Sequence, residues 1–254
     1  MRRAQRARAT LGPVFALALL GLGLGARAVA GPSDYVQTPI VEEGEREIDF
    51  KFGSARLRDG SRESKQSFGL GWGVNSGWFT EFYAVWHKKP GDRHSFDAWE
   101  WENKFQLTET GRYPVDVGVL LEIERPQDRS EGYEVRWGPL LQTEIGSTLQ
   151  ANLNLLLEKH LQAAQGGPAE LGYQWQLKYR WRPALEWGAQ GFGNVGPWRD
   201  WLPVSQQSHI AGPAVFGRVD LGQHKVVKYT AGLLFGLNHA SPVNTLRVQT
   251  EFEF

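Results

Sequence analysis

The sequence predicts an all-β fold, a transmembrane antiparallel up-and-down β-barrel of about 12 strands. Three observations predict it. Apolar and polar residues alternate with a period of two through most of the chain after residue 45, the mark of a strand with two unlike faces. The alternating runs are close to the roughly 9–11 residues that a tilted strand needs to cross a bilayer. The composition includes 11 Trp and 30 Gly, as interfacial aromatic girdles and tight turns require.

Residues 1–30 read as a signal peptide. Arg2, Arg3, Arg6 and Arg8 form a basic head, Leu11 to Leu24 are apolar apart from small residues and Pro, and Ala28-Val29-Ala30 offers small residues for cleavage. That apolar stretch is shorter than a spanning helix. The whole chain has 28 basic and 28 acidic residues, and residues 1–30 hold five Arg and no acid. Residues 31–254 therefore carry 23 basic and 28 acidic residues, a net charge of −5. No basic stripe is present, so nucleic acid is not an expected partner. Cysteine is absent, which excludes disulfides, thiolate metal sites and a lipid anchor on an N-terminal Cys. Residues 31–44 contain two Pro and lack sustained alternation; they read as an N-terminal extension, periplasmic or tucked into the barrel mouth. Residues 45–254 form the barrel.

The expected strands fall at 46–58, 64–74, 78–87, 96–107, 115–124, 133–142, 148–158, 170–181, 184–193, 207–219, 224–237 and 243–254. Alternation is cleanest in five. In 115–124, Val115, Val117, Val119, Leu121 and Ile123 oppose Asp116, Gly118, Glu122 and Glu124. In 148–158, Leu149, Leu153, Leu155 and Leu157 oppose Gln150, Asn152, Asn154 and Glu158. In 170–181, Tyr173, Trp175, Leu177 and Tyr179 oppose Gln174, Gln176, Lys178 and Arg180. Segment 224–237 puts Val227, Tyr229, Leu233 and Phe235 on one face, and the last segment does the same with Leu246, Val248, Phe252 and Phe254.

If the first strand starts in the periplasm, the long connections 88–95, 125–132, 159–169 and 194–206 are extracellular. The periplasmic ones, such as Asn75-Ser-Gly77, Arg182-Pro183 and Asp220-Leu-Gly-Gln223, are short turns rich in Gly, Pro and Asn. Connection 108–114 is a longer exception. Long outer loops with short inner turns are a barrel property.

The final strand carries the most specific signal. Its alternation runs to a terminal Phe254, with Phe252 on the same face. This resembles the C-terminal strand of Gram-negative outer-membrane β-barrels, porin-like and small barrels among them. The resemblance implies an outer-membrane location and contact with outer-membrane lipid and lipopolysaccharide. It also implies recognition of Phe252 and Phe254 by the barrel assembly machinery.

With the apolar faces toward lipid, the opposite faces line the lumen. The expected lumen-lining charges are Asp49, Lys51, Glu81, Glu100, Glu102, Lys104, Asp116, Glu122, Glu124, Glu134, Arg136, Glu158, Lys178, Arg180, Glu186, Lys228, Arg247, Glu251 and Glu253. A mildly negative lumen suits a narrow channel or transporter for small solutes, since carboxylate rings favour cations. The same residues can instead pair across a filled lumen in a structural or surface-interaction barrel. Eight strands leave room for little beyond side chains and 16 leave an open pore, and about 12 lie between.

Soluble-enzyme motifs are missing: no Gly-rich phosphate loop, no His-Glu-x-x-His, no Gly-x-Ser-x-Gly. Glu100 and Glu102 in Trp99-Glu-Trp-Glu102 share a polar strand face rather than form a catalytic pair. His239 and Ser241 have a spacing similar to the His and Ser of outer-membrane phospholipase A and of lipid A deacylases. This resemblance implies an acyl hydrolase with His239 as the base, and His239 and Ser241 continue the parity of Phe235 and Leu237, which faces lipid near the outer rim. Against it, Pro242 follows the Ser, and Asn244 is the sole nearby residue to orient the His. His87, His94, His160, His209 and His224 are scattered, without metal-ligand spacing, so no metal or cofactor is expected. Trp78, Trp86, Trp99, Trp101, Trp175, Trp181 and Trp187 read as interfacial girdle.

Overall fold

The computed structural model describes residues 31–254; the expected signal peptide, 1–30, lies outside the described residues. Twelve strands follow in order: β1 (Arg46–Arg56), β2 (Arg62–Asn75), β3 (Trp78–Lys88), β4 (Ser95–Gln106), β5 (Asp116–Pro126) and β6 (Tyr133–Ile145). They continue as β7 (Leu149–Leu161), β8 (Glu170–Arg182), β9 (Leu185–Pro197), β10 (Ser208–Gly222), β11 (Lys225–Gly236) and β12 (Asn244–Glu253). Each strand pairs antiparallel with its chain neighbours, and β12 pairs with β1. Closure leaves no strand edge with unpaired amides, which hydrocarbon would not tolerate. All twelve expected segments are strands, with ends shifted by a few residues.

The surface is inverted relative to a water-soluble protein. Phe68, Leu70, Phe82, Leu155, Leu177 and Leu233 point outward and are exposed, while Asp49, Glu81, Glu122 and Asn154 point inward and are buried. An apolar exterior around a charged interior suits lipid outside and polar contents within. The exterior is packed laterally by rings. Phe82 of β3 stacks between Trp72 of β2 and Trp101 of β4, with centroids 6.0 and 5.7 Å apart. Tyr173 and Trp175 of β8 lie over Gly193 and Gly191 of β9, where a Cβ would come within 2.4 and 2.2 Å of the rings. These glycines give the rings room to cover a bare stretch of strand.

The connections divide by end. Residues 76–77, 146–148, 183–184 and 223–224 make tight turns at one end, here the inner end. Gln223 and His224 both take positive φ, 56° and 64°, the backbone of a type I′ hairpin turn whose twist matches its strands. The longer connections 57–61, 89–94, 127–132, 162–169, 198–207 and 237–243 gather at the other, outer end. The exception is 107–115 at the inner end, which is tied down: Thr108 Oγ1 accepts from Val117 N at 2.9 Å, and Asp116 Oδ1 accepts from Gly111 N at 2.8 Å.

Residues 31–45 run through the barrel. They lie deeper than a mouth, antiparallel to β1, from Pro32 beside Gly53 near the outer half to Glu42 beside Gly73 at the inner end. The strand wall is cut away to admit them. A Cβ on Gly53 would sit 1.8 Å from Pro32 O, one on Gly73 1.9 Å from Glu42 O, and one on Gly118 2.9 Å from Pro39 Cβ. Glycine inside a strand marks such a close backbone approach. The segment is held by a bond from Gly44 N to Gly73 O (3.0 Å) and one from Val41 N to Gln106 Oε1 (2.7 Å).

Candidate functional site

Two cavities enter the lumen from opposite ends. The inner one is about 640 Å³ and is lined by Glu47, Asp49, Glu81, Glu102, Lys104 and Asp116, with Lys178, Arg180, Glu186, Lys228 and Glu251 on the far side. The outer one is about 650 Å³ and is lined by Lys65, Glu122, Glu124, Glu134, Arg136 and Glu158. Between them stands a septum made by residues 33–37 of the threaded segment. The space left there is a gap of about 20 Å³, bordered by Ser33, Tyr35, Gln37, Lys51, Glu100 and Arg136.

The threaded segment has two unlike sides. Tyr35 faces the charged wall built by β1 and β3–β6. Its hydroxyl donates to Glu102 at 3.1 and 3.2 Å and accepts from Gln37 Nε2 at 2.6 Å. The Lys51 ammonium lies 3.8 Å from the Tyr35 ring centroid and 3.5 Å from that of Tyr83, and 3.7 Å from Asp49. The Tyr83 hydroxyl donates to Asp49 at 2.8 Å. Val36 points the other way, into an apolar cluster with Phe192, Ile210 and Leu234. Arg247 stacks on Phe192 at 3.7 Å and donates to Gly31 O at 3.3 Å.

Ion pairs then distribute the charge. Arg136 spans from Glu122, at 2.5 Å, to Asp34 of the threaded segment, at 3.4 Å. Lys65 pairs with Glu124 at 3.2 Å, Lys178 with Glu186 at 3.6 Å and Arg180 with Glu144 at 2.8 Å. Lys228 gathers Glu45, Glu251 and Glu253 at the inner mouth. Of the charges expected in the lumen, all but Arg247 and Glu253 border the two cavities or the gap between them, and Arg247 and Glu253 are buried; they do not form one ring. They form an inner set around Lys228 and Lys178, a central set around Lys51 and Arg136, and an outer set around Glu134 and Glu158.

Neutral amides line the lumen as well; the alternation already marks Asn152, Asn154, Gln174 and Gln176, but not Gln142 and Gln190. Gln142, Asn152, Gln176 and Gln190 stand in register on β6–β9. Asn152 donates to Gln142 at 3.0 Å and Gln190 to Gln176 at 2.7 Å, forming an amide ladder. One level up, Asn154 donates to Gln174 Oε1 at 3.0 Å and to Gln37 O of the threaded segment at 3.1 Å. The signal was present as the polar phase of the same alternation.

The His-x-Ser pair is placed differently from its expected lipid-facing position. β11 ends at Gly236, so the strand parity does not extend to His239 and Ser241. Both residues border the outer cavity. Ser241 is 2% exposed. Its hydroxyl accepts from His209 N at 2.8 Å and contacts His209 O at 2.9 Å and Asn238 Oδ1 at 2.7 Å. Those bonds tie the β11–β12 connection to β10 and leave no hydrogen bond to His239. His209 itself bonds Tyr173 Oη at 2.8 Å and Gln207 Oε1 at 2.9 Å. Trp99, Trp101, Trp181 and Trp187 are exposed on the exterior, and Phe252 and Phe254 stack at the inner end with centroids 5.7 Å apart.

No protein-family model matches the chain, and no curated protein matches it by sequence. Solved structures match by fold. An outer-membrane channel from Pseudomonas putida F1 superposes with a TM-score of 0.57 at 9% identity, covering 87% of this chain and 99% of that one. The NanC porin gives 0.55 at 8% identity, over 82% of this chain and 100% of that one. The translocator domain of the autotransporter NalP from Neisseria meningitidis gives 0.52 at 11% identity, over 84% and 88%. The fold is that of Gram-negative outer-membrane β-barrels, and the apolar exterior agrees with placement in that membrane. Within this fold the molecule is a 12-strand barrel whose lumen is divided by its own N-terminal segment.

Proposed function

We propose that this barrel is a narrow, cation-favouring channel for small solutes, with residues 31–45 forming its constriction. The observation that carries this reading is the pair of cavities, about 640 and 650 Å³, opening at opposite ends and separated by a thin septum alone. A barrel serving only as a scaffold has no need of two wide, charged, water-accessible chambers. Acidic residues outnumber Lys and Arg along both chambers, so cations are concentrated in them and anions depleted. Outer-membrane lipid and lipopolysaccharide are its surroundings, and Phe252 with Phe254 serves as the signal to the assembly machinery.

Planar-bilayer recording of the purified barrel tests the reading. A small unitary conductance is expected, with a reversal potential in a salt gradient on the cation-selective side. A barrel that shows heat-modifiable gel mobility yet stays electrically silent would overturn it in favour of a structural barrel. The paired amides and the Val36 cluster make that second reading physically coherent. Acyl hydrolysis is not retained, because the Ser241 hydroxyl is committed to the backbone of His209.

A further inference from the structure

The central acids outnumber the cations among them. Glu81, Glu102 and Glu122 stand directly opposite one another on β3, β4 and β5, and one level outward Glu100 stands opposite Glu124. Like charges directly across a ladder destabilise a sheet. Interior charges persist when they are paired or when they hold a metal.

Three cations stand among them: Lys51 beside Asp49 and within electrostatic reach of Glu102 and Glu100, Lys65 paired with Glu124, and Arg136 paired with Glu122 and Asp34. Among the described residues, no Lys or Arg lies within ion-pair distance of Glu81, Glu100 or Glu102. Glu102 receives the Tyr35 hydroxyl. Among the described residues Glu100 has no hydrogen-bond partner, and it is only 8% exposed. One carboxylate oxygen from each of Glu100, Glu102 and Glu122 lies within 4.8 Å of the others.

Among the described residues, two other clusters lack this combination. In the cluster of Glu45, Glu47 and Glu253, two members, Glu45 and Glu253, pair with the Lys228 ammonium. Glu134, Glu158 and His160 are half-buried at the edge of the outer cavity, and His160 lies 3.7 Å from Glu134.

We infer that Glu100, Glu102 and Glu122 form a binding site for a hard divalent cation, of the calcium or manganese kind, in the septum of the barrel. The donor set is all oxygen, and carboxylate oxygens select such ions over soft ones. Each ligand comes from inward positions on the adjacent strands β4 and β5, so the site needs no local sequence motif. Through the Tyr35–Glu102 bond the bound ion sits against the threaded segment. The site requires the septum described above but does not require that the barrel conducts.

Manganese binding to the folded barrel, followed by electron paramagnetic resonance at neutral pH, tests the inference. One saturable site is expected, displaced by calcium, with affinity at least about tenfold weaker in Glu100→Gln and in Glu122→Gln. Glu144→Gln, which removes an acid of the Arg180 pair, is expected to leave binding unchanged. Heat-modifiable mobility of each variant shows that it is folded. If a Glu variant does not fold, calcium protection of the wild-type chain against thermal unfolding replaces it as the reading. The absence of a saturable site in the wild-type barrel overturns the inference, as does equal affinity in folded Glu100→Gln and Glu122→Gln. A conducting barrel without the site overturns this inference alone; a silent barrel that binds manganese overturns the channel reading alone.

Discussion

The two sides of the lumen hold the same threaded segment by different physics. On the side of β1 and β3–β6, Tyr35 and Asp34 meet buried Lys51 and Glu102 and half-buried Arg136 through charge-assisted contacts. On the side of β7–β11, Val36 meets Phe192, Ile210 and Leu234, and Gln37 meets Asn154 through a neutral amide bond. The charged side depends on ionic conditions and on the number of carboxylates, because each unpaired interior charge is costly. The apolar and amide side does not. A segment fastened on one side by packing and on the other by ions is anchored by the first and adjusted by the second.

The largest way to break this contrast is to remove the space both sides share. Gly53→Leu puts a side chain where even a Cβ would stand 1.8 Å from Pro32 O. Displacement of the outer half of the segment should raise single-channel conductance by roughly threefold or more, since a 12-strand lumen without filling lies toward the open-pore range. Planar-bilayer recording checks this, and an unchanged conductance in a folded barrel would show that residues 31–35 do not constrict it.

Next comes the apolar side. Val36→Asp buries an unpaired carboxylate against Phe192 and Leu234, at a cost of several kcal/mol. The segment should leave while the barrel keeps its heat-modifiable mobility, and a thiol-free chain allows a single Cys at residue 35 to report the exposure by labelling. On the charged side, Glu102→Gln keeps the shape and removes one charge. The cation preference should fall by about twofold, with conductance little changed. A reversal-potential measurement separates the two.

The smallest effect is expected outside the lumen. Ser241→Ala removes bonds to His209 and Asn238 and should cost about 1–3 kcal/mol of local stability. Conductance should stay the same, and hydrogen exchange should quicken only in the 237–243 connection.

Much of the architecture was readable because a barrel repeats one rule. In 170–181 every second residue is a lipid-facing Tyr, Trp or Leu, so strand, face and approximate ends follow from a single periodicity. The strand-end cases fail for the same reason: His239 and Ser241 lie past Gly236, where the chain leaves the ladder and parity loses meaning. The threaded segment had no periodicity of its own to read. Its trace lay elsewhere, in Gly53, Gly73 and Gly118 on inward positions, which mean little until the backbone they admit is known. The grouping of Glu100, Glu102 and Glu122 was half visible. Spacing two along β4 puts Glu100 and Glu102 on one face, but the approach of Glu122 depends on the β4–β5 register.

The central claim, that the N-terminal segment is the constriction of an otherwise open barrel, is tested most directly by deleting residues 33–41 and recording unitary conductance beside the intact chain. A rise of about fivefold or more is expected in a barrel of unchanged gel mobility. Equal conductance in the two chains, or silence in both, would contradict it.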